Sequence, residues 1–515
     1  MPFYTQTDIE NFKIRSSAPI TENAILTELI QADKTSDEKK LAQDGDRYFR
    51  ARHDILDEDF TLWTDPETGK AQKIPNRANN KIPHPFHRRQ VLEKTTYLFK
   101  SPITITHKDD DPDAEQSVAT DFTELLGTEF DSLMQDTSED ASNKGRAFLM
   151  PFFDAEEWML QLIDSLECIP IYESSKQNML ESLIRYFPIE LDVAGDKILA
   201  TRAEWWFKDK VRIFESTDDG TGFKFIREEP HFFQTDNQDG GSVVEAGWGR
   251  VPFVEFRNNK QALSDLCFIR AFVDTLDRIN SKFGNDLEDF QEALVKATGT
   301  SEDAAELMYN LRFHKAATTP DPNADIDFLT LDMPFEAKKQ YVNDLEESIA
   351  THGMGINPKT DEFGNDPSGA ALRWLYLPLD LKTSPQEEKF KAALYQVAWF
   401  ANKAGQLMRG KNPLVSDEKE LQRFSFVFNK SMIANEDKKI EQANNSVDKI
   451  SERTRLENDP RVEDVEKEME LMEEERKKKA KEAKANAPEV PQLSPGAADL
   501  NGNRNVPDPV VANLQ

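Results

Sequence analysis

The chain has 515 residues, with Asp+Glu 95 against Lys+Arg 64 for a formal charge of -31, and two cysteines. A chain this long predicts roughly three or four domains with ample core, and a mean hydropathy of -0.67 without an 18-residue apolar run predicts neither a membrane-spanning helix nor an apolar leader. The acid excess excludes a protein that grips nucleic acid over its whole surface, because tight binding neutralises phosphates, but it does not exclude one that nucleic acid slides past. Cys168 and Cys267 make neither a disulfide framework nor a metal pattern, which predicts assembly in a reducing cytoplasm.

Residues 1–60 read as helical, with Thr21 as N-cap of TENAILTELIQA and Asp37 as N-cap of DEKKLAQDGDRYFRARHDIL. Pro75 to Lys81 reads as a loop, Phe86 to Lys100 as a helix, Ile103 to Thr106 as a strand and Thr120 to Asp136 as a helix. From Ala147 to Arg257 short apolar-alternating runs separated by Gly, Asp and Asn predict an antiparallel meander, with Trp205 and Trp206 on opposite faces of a sheet covered in part on both sides.

The segment Leu263 to Leu294 carries Leu266, Ile269, Val273, Leu276, Phe283, Leu287 and Phe290 at alternating three- and four-residue steps, interrupted by Asn280. That spacing predicts one long helix packed along a seam. Its other face, with Asp265, Arg270, Asp274, Asp277, Arg278, Asp286 and Asp289, is expected to be wet. Asn280 either sets helix register or faces a neighbouring subunit. A compact α/β insertion follows from Val295 to Pro334, with a helix capped by Ser301 and strands at FHKAATT and DIDFLTL; a second helix from Phe335 to His352 could lie antiparallel beside the first. Gly353 to Gly369 has four glycines and two prolines among polar residues and reads as a loop. A helix from Ser368 to Arg409 contains Pro378 and Pro385, which predict a bend or break. Leu421 to Phe428 reads as a strand, Glu436 to Ala485 as a charged helical region with Asp459 and Pro460 at a helix start, and the chain beyond Ala487 as a disordered tail.

Several stretches, taken in order, resemble one family. They are RYFRARHDIL (Arg47 to Leu56), NNKIPHPFHRRQVLEKTTYLFKSPITI (Asn79 to Ile105), GRVPFVEFRNNKQALSDL (Gly249 to Leu266), DRINSKFGNDLEDFQEA (Asp277 to Ala293), FGNDPSGAALRWLY (Phe363 to Tyr376) and ISERTRLENDPRVEDVEKEMELMEEE (Ile450 to Glu475). The sequence resembles the portal proteins of tailed double-stranded DNA phages, of the type found in the siphophage SPP1. Ala51 and Lys100 depart from it, standing where glycine is expected. The resemblance implies an α+β portal fold, with no cofactor and no enzymatic activity. A β-rich and helical wing would span 1–262 and, through a long kinked helix and a strand, 370–435. Stem helices would span 263–294 and 335–352, a small clip 295–334, a tunnel loop 353–369, a helical crown 436–485 and a tail 486–515. It also implies a ring of about twelve subunits at one capsid vertex of the virion, passing double-stranded DNA. The partners implied are the terminase large subunit, the head-tail adaptor, and the major capsid and scaffolding proteins; no membrane is involved. Within the tunnel loop, Asn357, Lys359, Thr360, Asp361 and Glu362 are the expected channel residues. Lys359 either touches phosphates transiently or is a solvated surface lysine.

Other motifs point nowhere as firmly. The run Asp109 to Asp113 suggests a divalent-metal nuclease, but consecutive carboxylates do not converge easily on one ion, and a solvated loop explains them. His84 and His87 lack a third ligand for zinc, and no GxSxG, P-loop or GxGxxG pattern occurs, so no metal or nucleotide site is expected. The run Arg476 to Lys481 after Glu473 to Glu475 predicts i,i+4 pairing on a wet helix face. A nucleic-acid-processing enzyme and a capsid assembly protein without a pore are the alternatives to a conduit.

Overall fold

The computed structural model describes residues 4–15, 21–74, 77–110, 117–154, 157–193, 196–217, 220–236, 242–290, 294–298, 325–329, 335–357, 369–408, 413–430 and 451–457, with isolated positions within 303–323 and 462–478. They fall into two compact units, residues 1–432 and 433–515.

In the first unit, helices α1 (Gln6–Arg15), α2 (Glu22–Thr35) and α3 (Asp37–Phe49) open the chain. The cap between α2 and α3 is Ser36, not the expected Asp37: its extended backbone lets the hydroxyl accept from the Lys39 amide, while Asp37 sits in the first turn. Thr21 holds the N-cap position of α2 but makes no side-chain bond there. Ala51, at the expected glycine position, ends this region with a left-handed φ of 56°, which costs a non-glycine residue about 1 kcal/mol. Helix α4 (Phe86–Phe99) follows, then β1 (Thr104–His107). The single helix expected from Thr120 to Asp136 is two, α5 (Val118–Leu126) and α6 (Phe130–Lys144), because Gly127 takes a φ of 79° that stops the first.

The meander is present over Cys168–Pro230 only, the other strands of the expected Ala147 to Arg257 span belonging to separate sheets. Strands β2 (Cys168–Glu173), β3 (Lys176–Val193), β4 (Asp196–Trp206), β5 (Lys210–Ser216) and β6 (Lys224–Pro230) pair in sequence order, each antiparallel to the last, and Tyr4–Thr5 adds a parallel edge beside β2. Trp205 packs with Ile25, Leu26, Leu29 and Ile30 of α2. Trp206, one residue on, packs on the other face with Phe148 and Phe253. A second sheet, whose central strand Arg146–Asp154 lies between Glu157–Ile163 and Val254–Arg257, supplies Phe148 to that face.

The long helices come next. A 3-10 turn at Asp265–Phe268 leads into α7 (Arg270–Phe290), so the expected helix from Leu263 to Leu294 is shorter at both ends. Ser264 stops it at the front by accepting from the Leu266 amide, and Leu294 already belongs to a strand. Strands β7 (Leu294–Thr298) and β8 (Asp325–Leu329) form an antiparallel pair, Leu294 opposite Leu329. Phe313 and His314, expected in a strand, are helical; Ser301 lies outside the described residues. Helix α8 (Phe335–His352) precedes the 39-residue α9 (Gly369–Leu407), which stays helical through Pro378 and Pro385. The prolines therefore do not break it. The C-terminal half of α9 buries Phe390, Leu394, Val397 and Ala401 in the largest core, and this burial offsets the lost backbone bonds. The last strand of the unit is Phe424–Val427, paired with β1 and shorter than expected because Glu418–Arg423 is a 3-10 turn.

In the second unit a short helix, Glu452–Glu457, is preceded by Ser451, whose hydroxyl accepts from the Thr454 amide. Lys477 pairs with Glu473 at i,i+4 as expected, whereas Arg476 reaches Glu452 at 2.8 Å. Asp459, Pro460 and the tail after Ala487 lie outside the described residues.

Candidate functional site

Helices α7 and α8 form an antiparallel pair. Phe272 stacks on His352 at 5.0 Å between ring centres, and Phe283 meets Phe335 edge-on at 5.5 Å, so the residue numbers run in opposite directions along the contact. Leu266, Ile269, Val273 and Leu276 are buried together with Leu345 and Ile349. Phe283 lies under the Lys338 ammonium at 3.1 Å. Leu287 is 41% exposed and is not part of the buried seam among the described residues. With Phe283 opposite the first residue of α8, the next turn of α7 has run past the end of its neighbour. The Phe290 side chain lies outside the described residues.

The face expected to be wet is covered in part: Asp265 and Asp277 are buried, while Arg278 stays exposed. Four polar side chains at steps of four accept from alternate backbone amides of the extended segment 78–84: Asp289 from Ala78 at 2.8 Å, Asn285 from Asn80 at 2.5 Å, Ser281 from Ile82 at 2.9 Å and Asp277 from His84 at 2.8 Å. The match is geometric, since four helical residues rise about 6.0 Å and two extended residues about 6.6 Å. A segment without strand partners thus satisfies its amides on a helix surface. Asp277 also bonds the rings of His53 at 2.5 Å and His84 at 2.8 Å. Burial alone would raise its carboxyl, but the bonds from His53 and His84 hold it below the ordinary carboxylate value. Asn280 bonds the His84 ring at 3.2 Å, so its polar group serves this edge. Arg270 reaches Asp44 and Asp54, and Arg278 reaches Glu58, adding residues 44–58 to the cover.

The head of α7 is fixed by charge. Asp265 is buried and lies 3.1 Å from the Lys94 ammonium of α4 and 3.4 Å from Lys382 of α9; Asn258 donates to it at 2.8 Å. Burial opposes its ionisation, yet Lys382, Lys94 and the Asn258 donor hold its carboxyl far below the ordinary value. Three elements distant in sequence thus meet at one carboxylate.

A long antiparallel helix pair is thus followed on one side by a two-stranded antiparallel pair and on the other by Gly353 and Gly355. A model of the family "Phage portal protein, SPP1 Gp6-like" matches residues 30–482. The chain belongs to this family. The portal protein of Clostridium phage phiCD119 is 29% identical over 449 residues, covering 84% of this chain and 91% of that protein. The portal protein of Bacillus phage SPP1 is 26% identical over 439 residues, covering 84% of this chain and 82% of that one. The protein is thus a phage portal protein, a structural component of the virion that assembles as an oligomer at a capsid vertex.

Of the channel residues expected in this portal protein, Asn357 is described: it lines, with Ile356, a cleft of about 230 Å³ between α4 and α8. Lys359, Thr360, Asp361 and Glu362 lie outside the described residues. In the acidic run, Asp110 accepts from the Val118 and Ala119 amides at the start of α5 and Asp109 pairs with Arg423, so neither is aimed at a common ion. Among the described residues no helix is long and apolar enough to cross a membrane. The residues that sequence reasoning missed are Asp265 and Asp277 as buried anchors and the polar row behind Asp277. The row carried a legible signal: Asp277, Ser281, Asn285 and Asp289, all short and polar at steps of four beside an apolar seam.

His87 of α4 lies in this same packed region, fully buried. Burial pushes its pKa down to about 4. An unfolded histidine takes up its proton near pH 6.5, while the folded one stays neutral until about pH 4, so stability falls as pH drops through that window, by about 3 kcal/mol in full. Urea unfolding at pH 7, 5.5 and 4.5 should therefore show His87→Met losing less stability on acidification than the wild type; parallel losses would contradict this.

Proposed function

We propose that about twelve copies of this chain close into a ring through which double-stranded DNA enters the capsid during packaging and leaves on ejection. In this reading α7 and α8, within segments 263–294 and 335–352, are the stem, and 295–334 is the clip, which docks the terminase large subunit and then the head-tail adaptor. Residues 1–262 and 370–435 are the wing, facing the major capsid and scaffolding proteins; 436–485 are the crown, and assembly takes place in the host cytoplasm. The antiparallel α7–α8 pair carries the reading, because it gives a stiff strut about 30 Å long with a protein-docking hairpin at one end and a glycine-rich exit at the other.

The charge balance supports a conduit. A net charge of -31 keeps the duplex from adhering to the walls, and a few cations suffice to admit it. In the tunnel loop, 353–369, Asn357, Lys359, Thr360, Asp361 and Glu362 line the constriction, and Lys359 makes the transient phosphate contact. Negative-stain images and native mass of the wild type and of Lys359→Glu should show the same ring for both, while particles carrying the variant package or retain less DNA. Absence of rings, or normal DNA content in the variant, would reject the ring or the loop assignment respectively.

A further inference from the structure

Gln90 lies on α4 but acts at the end of α8. Its side chain is buried; its Nε2 donates to the Ile349 carbonyl at 2.9 Å and its Oε1 accepts from Lys382 at 3.4 Å. The chain leaving α8 folds over this amide. The Gly353 amide bonds the Ile349 carbonyl at 3.0 Å, the Gly355 amide bonds the Ala350 carbonyl at 2.9 Å, and Met354 between them has a φ of 51°. A Cβ at Gly353 would lie 2.2 Å from Gln90 Oε1, so glycine is required for this approach. On either side of Gln90, Arg89 donates to the Ile356 carbonyl at 2.9 Å and Glu93 accepts from the Ile356 amide at 3.4 Å, the two being paired with each other at 2.7 Å. One turn of α4 therefore grips residues 349–356 from several sides. Lys382 extends the grip, since the same ammonium stands 3.4 Å from Asp265 at the head of α7.

A contact that needed only packing would be met by leucine, without the cost of burying an amide. A two-ended amide, with its donor on one helix and its acceptor on another, fixes direction as well as distance. We propose that Gln90 is a positioning residue for genome passage: it sets the direction in which residues 353–357 leave α8 and, through Lys382 and Asp265, ties that direction to the head of α7. The proposal rests on the reading that this exit leads into the channel.

The test is hydrogen exchange of the assembled full-length protein, followed in peptides covering 349–357, with thermal melting and particle DNA content recorded alongside. Gln90→Leu should speed exchange at 353–355 about tenfold, the loss of one hydrogen bond, with melting and exchange elsewhere in α4 unchanged. Gln90→Glu, which keeps the acceptor for Lys382 but sets a charge against the Ile349 carbonyl, should speed exchange there too. Lys382→Met should raise exchange both at 353–355 and at 265–269, and its effect should not add to that of Gln90→Leu. For Gln90→Leu, unchanged exchange at 353–355, or a general rise with lower melting, overturns the proposal. Faster local exchange with normal DNA content leaves the grip standing and rejects the channel reading, whereas lower DNA content with unchanged exchange rejects the grip alone.

Discussion

Replacing Asp265 with alanine should destabilise the first unit by about 3–5 kcal/mol, because it leaves the ammonium groups of Lys94 and Lys382 buried without a counter-charge. Burial opposes the charges of Asp265 and Lys94, and the attraction among the three groups together with the Asn258 bond offsets that cost only while the carboxylate is in place. Removing one cation is milder, since the other still neutralises Asp265. Urea unfolding should therefore rank Asp265→Ala as most damaging, with Lys94→Met and Lys382→Met behind it. Asp265→Asn tests the role of charge separately, because it keeps a polar group of the same size beside Asn258. A loss under about 1 kcal/mol for Asp265→Ala would mean that the two lysines reach solvent on relaxing, and that the junction does not organise the three helices.

The sheet and the helix pair were legible because their signals are local. Alternation from Cys168 to Pro230, with turn residues between runs, carries the meander, and the three- and four-residue steps of Leu266, Ile269, Val273 and Leu276 carry the seam of α7. Charged residues were misread for the complementary reason. A lone aspartate is assigned to solvent by default, and what overturns that default for Asp265 and Asp277 is a set of partners 171 and 224 positions away. Long-range pairing leaves no trace at the aspartate itself. Boundaries failed where one residue decides: Gly127 divides an otherwise continuous apolar pattern, and Ser36 caps α3 one position ahead of the more acidic candidate. The break considered at the prolines of α9 rested on helix propensity alone, which tertiary burial of Phe390 to Ala401 overrides.

Asp277 should prove the residue on which the α7 strut most depends. One carboxylate accepts from the His84 amide, bonds the His84 ring and bonds the ring of fully buried His53. Asp277→Ala removes the acceptor for all three, and a buried donor left unpaired costs about 1–3 kcal/mol. Asp277→Asn retains an acceptor for the His84 amide and should cost less. Asp277→Pro does more than either, because proline in the interior of Arg270–Phe290 also removes an intrahelical bond and clashes with the preceding turn, a further 3 kcal/mol or so. The row at Ser281, Asn285 and Asp289 would then lose its alignment with Ile82, Asn80 and Ala78, since a kink at 277 changes the rise on which the match depends. The expected result is normal rings for Asp277→Asn, destabilised rings for Asp277→Ala and none for Asp277→Pro, read by native mass and negative-stain images. Normal rings from Asp277→Pro would show that α7 tolerates a break at its centre, and the strut would have to be sought elsewhere in the chain.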